Sequence, residues 1–334
     1  MTVIILILGI LFGLTLQYAS LNKYNTISGM ATLENLSVAK AIAVAIGVGA
    51  ILVNIEIGLG LASYHVKPLI VGGIVLGGIL FGMGMAILGY CPGTLAVSLG
   101  EGALDALAGI VGALLGGLAY TLLLPFIKEI LGPDLGTHSL QTAVSSKVVF
   151  YILIFIIGAI FIWVAFWMNK KEKNTNNRWL YAGIALAVLN VIVFLHVATD
   201  RIIGASTTYP YLADLLTGTT QNDYFTKIQK PGNWEAIFLA GAFLAGLIGS
   251  LVKKDFKIKL IHENWEKYKG HSSVKRVIWA FVGGFILLFG ARMAGGCTSG
   301  HILSGGMQLA FSSMVFAVVV FASLLVTGKF FYKK

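Results

Sequence analysis

The chain has 334 residues, of which 57% are hydrophobic and only 11% charged, with a formal net charge of +10 and a mean hydropathy of +0.87. A soluble domain carries about a quarter charged residues, so this composition excludes one and predicts an all-α polytopic membrane protein, because lipid cannot satisfy an open sheet edge. Two cysteines make no disulfide framework, and 41 glycines are nearly twice the usual share of about 7%, which suits close helix packing and tight turns.

A crossing needs about 20 largely apolar residues, and that ruler predicts nine spans, at roughly 3–19, 38–63, 68–90, 102–127, 146–168, 179–197, 234–252, 274–295 and 308–328. The first lacks the basic flank and small-residue cleavage site of a signal peptide and reads as a retained helix. Two short connections, 91–101 and 296–307, are too short and too apolar for exposed loops. Each is expected to hold a half-helix that dips into the membrane and returns.

Those connections carry the only two cysteines, in Gly89-Tyr90-Cys91-Pro92-Gly93-Thr94 and Gly295-Gly296-Cys297-Thr298-Ser299-Gly300-His301. A shift of 206 positions superimposes them: Gly77, Gly78, Gly84, Gly89, Cys91, Ser98 and Gly100 fall on Gly283, Gly284, Gly290, Gly295, Cys297, Ser304 and Gly306. Two unrelated buried thiols would satisfy the cysteines alone. Glycine coincidences mean little among 41 glycines, but the cysteine match does not share that weakness, and the sharper reading is an internal repeat with one copy of a site in each half.

Basic residues set the orientation. Lys170, Lys171, Lys173 and Arg178 face only Glu172 in the 169–178 loop, and eight basic residues crowd 253–276. The tail adds Lys329, Lys333 and Lys334, whereas 198–233 is balanced in charge. The basic segments and the C-terminus are therefore expected in the cytoplasm, and nine spans put the N-terminus outside. The net charge is then a topology signal, and no nucleic acid is implied. The third and eighth spans run in opposite directions under this topology, so the repeats are inverted. The chain reads as one transport domain, with 1–131 as the first repeat, 132–178 as a connector span and 179–334 as the second, inverted repeat. Such repeats place a substrate site at their interface, near the membrane midplane.

The turns have anion-binding chemistry. Pro92 suits a first helical turn, and Thr298 and Ser299 suit caps. A helix start presents free N–H groups and partial positive charge, the glycines admit an anion to the backbone, and a protonated thiol adds a soft donor. Gly89, Tyr90, Cys91, Pro92, Gly93, Thr94, Gly295, Gly296, Cys297, Thr298, Ser299, Gly300 and His301 are the candidate substrate-binding residues. Charged groups inside spans are functional by default. Arg292 either attracts the anion or pairs structurally, His301 caps the turn or donates to substrate, and Glu101 is expected to satisfy backbone N–H groups where the fourth span starts. Glu56 with Asn54 reads as a buried polar link, and His196, Asp200 and Arg201 as an interface. There is no phosphate-binding loop, metal-ligand spacing or catalytic triad, and no cofactor is implied.

Gly82-Met83-Gly84 through Thr94 with Gly100-Glu101-Gly102, and Gly290-Ala291-Arg292-Met293-Ala294-Gly295 through His301, resemble the YeeE/YedE sulphur-transport family. The resemblance covers nearly the whole chain. It implies a bacterial inner-membrane protein, embedded in lipid, that takes up thiosulfate or a related sulfur anion and hands it between cysteines along a narrow central path. It also implies Cys91 and Cys297 as relay residues and a small cytoplasmic sulfur-carrier protein as partner. One departure stands out: relatives often carry a cysteine after a Leu-Gln pair in the first span, and here Asn22 follows Leu16-Gln17 near that place. A branch of the family is associated with selenium compounds. Outside the family, a membrane thiol oxidoreductase using Cys91 and Cys297 and a passive anion channel are the competing readings. The oxidoreductase lacks a Cys-x-x-Cys.

Overall fold

A computed structural model describes residues 1–172 and 176–333; Lys173 and Lys334, counted above among the orientation charges, lie outside the described residues. The helices in chain order are α1 Thr2–Tyr18, α2 Tyr24–Ala31, α3 Ser37–Gly58, α4 Val71–Leu88, α5 Pro92–Gly100, α6 Leu104–Leu131, α7 Leu140–Ala143 and α8 Lys147–Glu172. They continue as α9 Arg178–Phe194, α10 Thr208–Thr217, α11 Asp223–Val252, α12 Glu263–Lys269, α13 Ser273–Met293 and α14 Phe311–Phe331, with a π-helical segment Thr298–Gly305 between the last two. Extended pairing among the described residues is confined to isolated bridges, such as Ala103 with Lys259.

Seven stretches are long and apolar enough to cross a membrane: α3, Val71–Gly100 (α4 with α5), α6, α8, α11, α13 and α14. The predicted first and sixth spans form as α1 and α9, apolar but only 17 residues each, about 26 Å at 1.5 Å per residue. The predicted span at 234–252 is the apolar end of a longer helix. α11 starts at Asp223 because Asn222 caps it, its side chain accepting from Phe225 N at 2.8 Å. A hydropathy ruler sees only the part that is apolar.

Glycines let the helix axes close. Gly77 packs on Gly290 and Ala294, and Gly84 on Gly283 and Leu287. Residue numbers rise along α4 as they fall along α13, so the two helices are antiparallel. A Cβ on Gly77 would stand 2.6 Å from Gly290 O, so larger residues would force the pair apart. α14 flanks α4 in parallel, with Gly78 on Val319 and Gly82 on Leu324. α6 flanks α13 in the same manner, with Gly112 on Phe281 and Gly116 on Phe285. α1 runs parallel to α11, with Gly9 against Phe238 and Gly13 against Ala242 and Ala245. α3 is covered by α9 and α8.

Candidate functional site

The first turn is made by a stop and a restart. α4 ends on Gly89, which is left-handed (φ 76°) and lies against the Tyr24 ring. A side chain there would meet both backbone strain and the ring. Tyr90 is fully buried, its hydroxyl 3.2 Å from both Asp105 carboxylate oxygens and 3.0 Å from His262 Nε2. Arg276 completes this cluster: its Nη2 is 2.5 Å from Asp105 Oδ2 and donates to Leu88 O at 2.7 Å, the last residue of α4. Arg276 was counted above as a loop cation, but it lies inside the protein as the buried partner of Asp105. Cys91 then takes an extended conformation as the N-cap of α5, with Pro92 first in the helix as anticipated. The Cys91 N–H donates to Thr94 Oγ1 at 2.8 Å, and that hydroxyl lies 3.4 Å from Cys91 Sγ. The first-turn N–H groups of Gly93 and Thr94 have no carbonyl available within the helix.

The second turn repeats the stop and restart with other means. α13 closes in a Schellman motif, Gly296 N to Ala291 O at 2.8 Å and Gly295 N to Arg292 O at 3.1 Å, with Gly295 left-handed (φ 75°). Cys297, extended and 1% exposed, is the N-cap of the π-helical segment. Thr298 and Ser299, expected as caps, fall inside that segment instead, and Ser299 Oγ lies 3.2 Å from Cys297 Sγ. His301 is buried, with both ring nitrogens engaged: Nε2 lies 2.8 Å from the Ala294 carbonyl and Nδ1 3.1 Å from Ser313 Oγ. Nε2 therefore carries the hydrogen and Nδ1 accepts. The ring braces the turn between α13 and α14.

Both turns open on one small apolar cavity of ≈ 60 Å³. Cys91, Gly93 and Thr94 line it from the first turn and Thr298 and Ser299 from the second, with Phe12 of α1 across from them. At about 10–15 Å³ per water on this measure, it holds a few waters or one small ion. Tyr209, not singled out by the sequence, lies between the turns. Its hydroxyl donates to Pro92 O at 2.7 Å, and it lies within electrostatic reach of both Cys91 and Cys297. Both thiols are free.

The accessory candidates separate. Arg292 is held by hydroxyls, donating from Nε to Tyr224 at 2.7 Å and from Nη1 to Ser206 and Thr207 at 3.2 and 3.1 Å. Asn22 is fully buried at the far end of α5, donating to Glu101 Oε2 at 2.7 Å and Ser98 Oγ at 3.3 Å. Glu101 differs from expectation. It takes Asn22 and Lys23, the latter at 2.7 Å, while Leu104 N at the start of α6 is satisfied by Lys259 O. Lys23, Ser98 and Glu101 border a second cavity of ≈ 310 Å³ between α2, α5 and the 255–262 segment, lined also by Tyr90, Asp255, Lys257 and His262. α5 thus spans the distance from the small cavity to the larger one. Asn54 accepts from Tyr64 and donates to Met307 O, but the Glu56 carboxylate has no hydrogen-bond partner, so the two do not form the link expected. His196 and His65 both contact Asp200, at 3.1 and 3.3 Å.

Lys67 was also missed. It is the only lysine or arginine between Lys40 and Lys128, a signal passed over by weighing only the longer loops and the charges inside spans. Its ammonium donates to Gly295 O in the second turn.

A bundle with seven helices long and apolar enough to cross a membrane, in which two interrupted helices bring their restart turns to one small cavity, has the build of a membrane transporter. The family model described as Sulphur transport matches residues 23–326, and the chain belongs to that family. It is 25% identical over 327 residues to the thiosulfate transporter TsuA of Spirochaeta thermophila, covering 94% of each chain. It is 22% identical over 322 residues to the thiosulfate transporter TsuA of Escherichia coli, covering 89% of this chain and 85% of the relative. The family is one of transporters, not enzymes.

Proposed function

We propose that the protein carries thiosulfate, or a closely related sulfur anion, inward across the cell's inner membrane, passing it between Cys91 and Cys297. The observation that carries the reading is the convergence of both cysteine turns on one small cavity. A largely apolar cavity strips water from the anion, so donors must replace it. Helix-start N–H groups are fixed donors, and thiols and hydroxyls are donors that rotate. Two weak sites in sequence hold an ion without trapping it. The names of the two relatives favour thiosulfate as substrate.

The inverted-repeat reading draws support from the packing. A shift of 206 turns α4, Cys91, α5 and α6 into α13, Cys297, the π-helical segment and α14. Under it, the Gly77–Gly290 contact becomes the Gly283–Gly84 contact, and both exist. The α4–α14 pairing becomes the α13–α6 pairing, and both are parallel. An in-plane two-fold axis through the α4–α13 contact accounts for all of these. In this reading the two short helices are re-entrant, residues 1–131 and 179–334 are the repeats, 132–178 is the connector, and α1 and α9 complete nine spans. The basic segments face the cytoplasm, and Lys257 and Lys259 beside the larger cavity suit docking of an acidic sulfur-carrier partner.

Moving a dianion inward against 100 mV costs about 4.6 kcal/mol, twice the single-charge value, so uptake is either ion-coupled or drawn by rapid consumption. The test is labelled thiosulfate uptake into vesicles containing the purified protein, with sulfate, sulfite and selenate as competitors. Cys91→Ala and Cys297→Ala should each abolish uptake with the fold intact, and serine should do so in part. Near-normal uptake by the double alanine variant, or activity that requires a Cys91–Cys297 disulfide, sinks the relay.

A further inference from the structure

Lys67 lies in the irregular stretch between α3 and α4, and its backbone is pinned. His65 N donates to Gln308 Oε1 at 2.6 Å, Ser312 Oγ donates to Lys67 O at 2.8 Å, and Leu69 N donates to Gly136 O at 2.8 Å. Pro68 follows and stiffens the stretch. The side chain is laid across the second cysteine turn. A Cβ on Gly296 would stand 3.0 Å from Lys67 Cε and Nζ, and one on Gly300 3.5 Å from Cε. Two glycines thus make the bed on which the lysine rests. The side chain is partly exposed.

Its electrostatic surroundings are unbalanced. Arg292 from α13 and Arg201 from the 195–207 segment are the nearby cations, and Glu235 from α11 is the nearby carboxylate, with Cys297 beside them. Glu235 is already committed, accepting from Thr207 N at 2.6 Å. The Lys67 ammonium therefore rests on a neutral carbonyl, Gly295 O, in a region of net positive charge. An ammonium–carbonyl contact is a weaker arrangement than an ammonium–anion one.

Resting on the transport reading above, we infer that Lys67 is the residue that recruits the anion to the second turn: its ammonium leaves Gly295 O, pairs with the arriving anion and delivers it to the donors of Cys297 to Ser299. The pinned backbone and long side chain suit a short swing about a fixed base. Releasing Gly295 O also frees the carbonyl that the ammonium holds, so arrival of the anion and loosening of the turn are one event. Burial and the Arg292 charge lower the Lys67 pKa to about 8. The recruiting charge is thus present below that pH and is lost as pH rises through it.

The experiment is thiosulfate uptake by vesicles containing the purified full chain, with KM and maximal rate measured from pH 6.5 to 9.5 for the wild type, Lys67→Arg and Lys67→Met. Only about a tenth of the lysine stays charged one unit above its pKa, so the wild-type KM should rise roughly tenfold between pH 7 and 9. Lys67→Arg should hold a flat KM, because arginine does not titrate in this range. Lys67→Met should show a high KM at every pH with the maximal rate largely kept. A wild-type KM and pH profile in Lys67→Met overturns the inference. So does a wild-type profile in Lys67→Arg, which would take the titration away from Lys67, and that comparison decides even if the methionine variant fails to assemble. A wild type that takes up no thiosulfate brings down the transport reading and this inference with it. Uptake that is normal in wild type and unaltered in the variants brings down the Lys67 role alone.

Discussion

Removing the Asp105 carboxylate should destabilise the foundation of the first cysteine turn. Asp105 and Arg276 are both 0% exposed, and the guanidinium meets the carboxylate through Nη2 at 2.5 Å and Nε at 3.0 Å. His262 Nε2 sits 3.0 Å from the other oxygen. The guanidinium also stacks on Tyr24 and Trp265, at 4.3 and 5.0 Å. Asp105→Ala leaves it buried with only the Leu88 and Ile87 carbonyls. Breaking a buried pair from one side costs about 3–5 kcal/mol, whereas replacing both partners with apolar groups is often neutral. At about 2 °C per kcal/mol for a chain of this size, thermal unfolding in detergent should fall by roughly 6–10 °C. Asp105→Ala/Arg276→Met should recover most of that loss. Uptake should fall in the single variant as well, because Tyr90 loses the acceptor that fixes the residue before Cys91. A single variant within about 1 °C of wild type, or a double variant no better than the single, would refute the argument.

Asn22→Cys should keep or raise thiosulfate uptake, since the family resemblance implies a thiol near that position; unchanged uptake and selectivity in Asn22→Ala would make it structural only. Reporters fused after the C-terminus should be active only if they are of the cytoplasmic type, and a periplasmic signal would overturn the proposed orientation. Gly89→Ala should cost at least about 1–2 kcal/mol from the left-handed backbone alone, with the Tyr24 collision added, read as a lower unfolding temperature. Glu34, on the α2–α3 connection, accepts from Lys267 and Tyr268, which lower its pKa from 4.5. That contact stabilises above the ordinary carboxylate pKa and is lost as pH falls through the lowered value. Hydrogen exchange over 263–269, corrected for its intrinsic pH dependence, should accelerate in that window and stay constant at higher pH.

Features written in local chemistry were legible in the chain itself. Apolar runs marked the membrane-crossing helices, because burial in lipid depends on each residue's own side chain. Pro92 marked the restart of the first interrupted helix, because a missing N–H is a property of a single residue. Cys91 coincides with Cys297 under a shift of 206, the spacing that the proposed repeat would preserve. What the chain did not reveal were partnerships across long separations. Asp105 is 171 residues from Arg276 and 157 from His262, and no local pattern pairs them. The Glu101 contacts with Lys23 and Asn22, and the Tyr209 hydroxyl on Pro92, belong to the same class. Lys67 shows the reason most directly. In sequence it is a lone cation beside a proline, and its resting place exists only because α13 ends 228 residues later with Gly295 O turned toward it. Burial is decided residue by residue, but charges and hydroxyls inside the bundle acquire partners only when tertiary packing brings distant helix ends together.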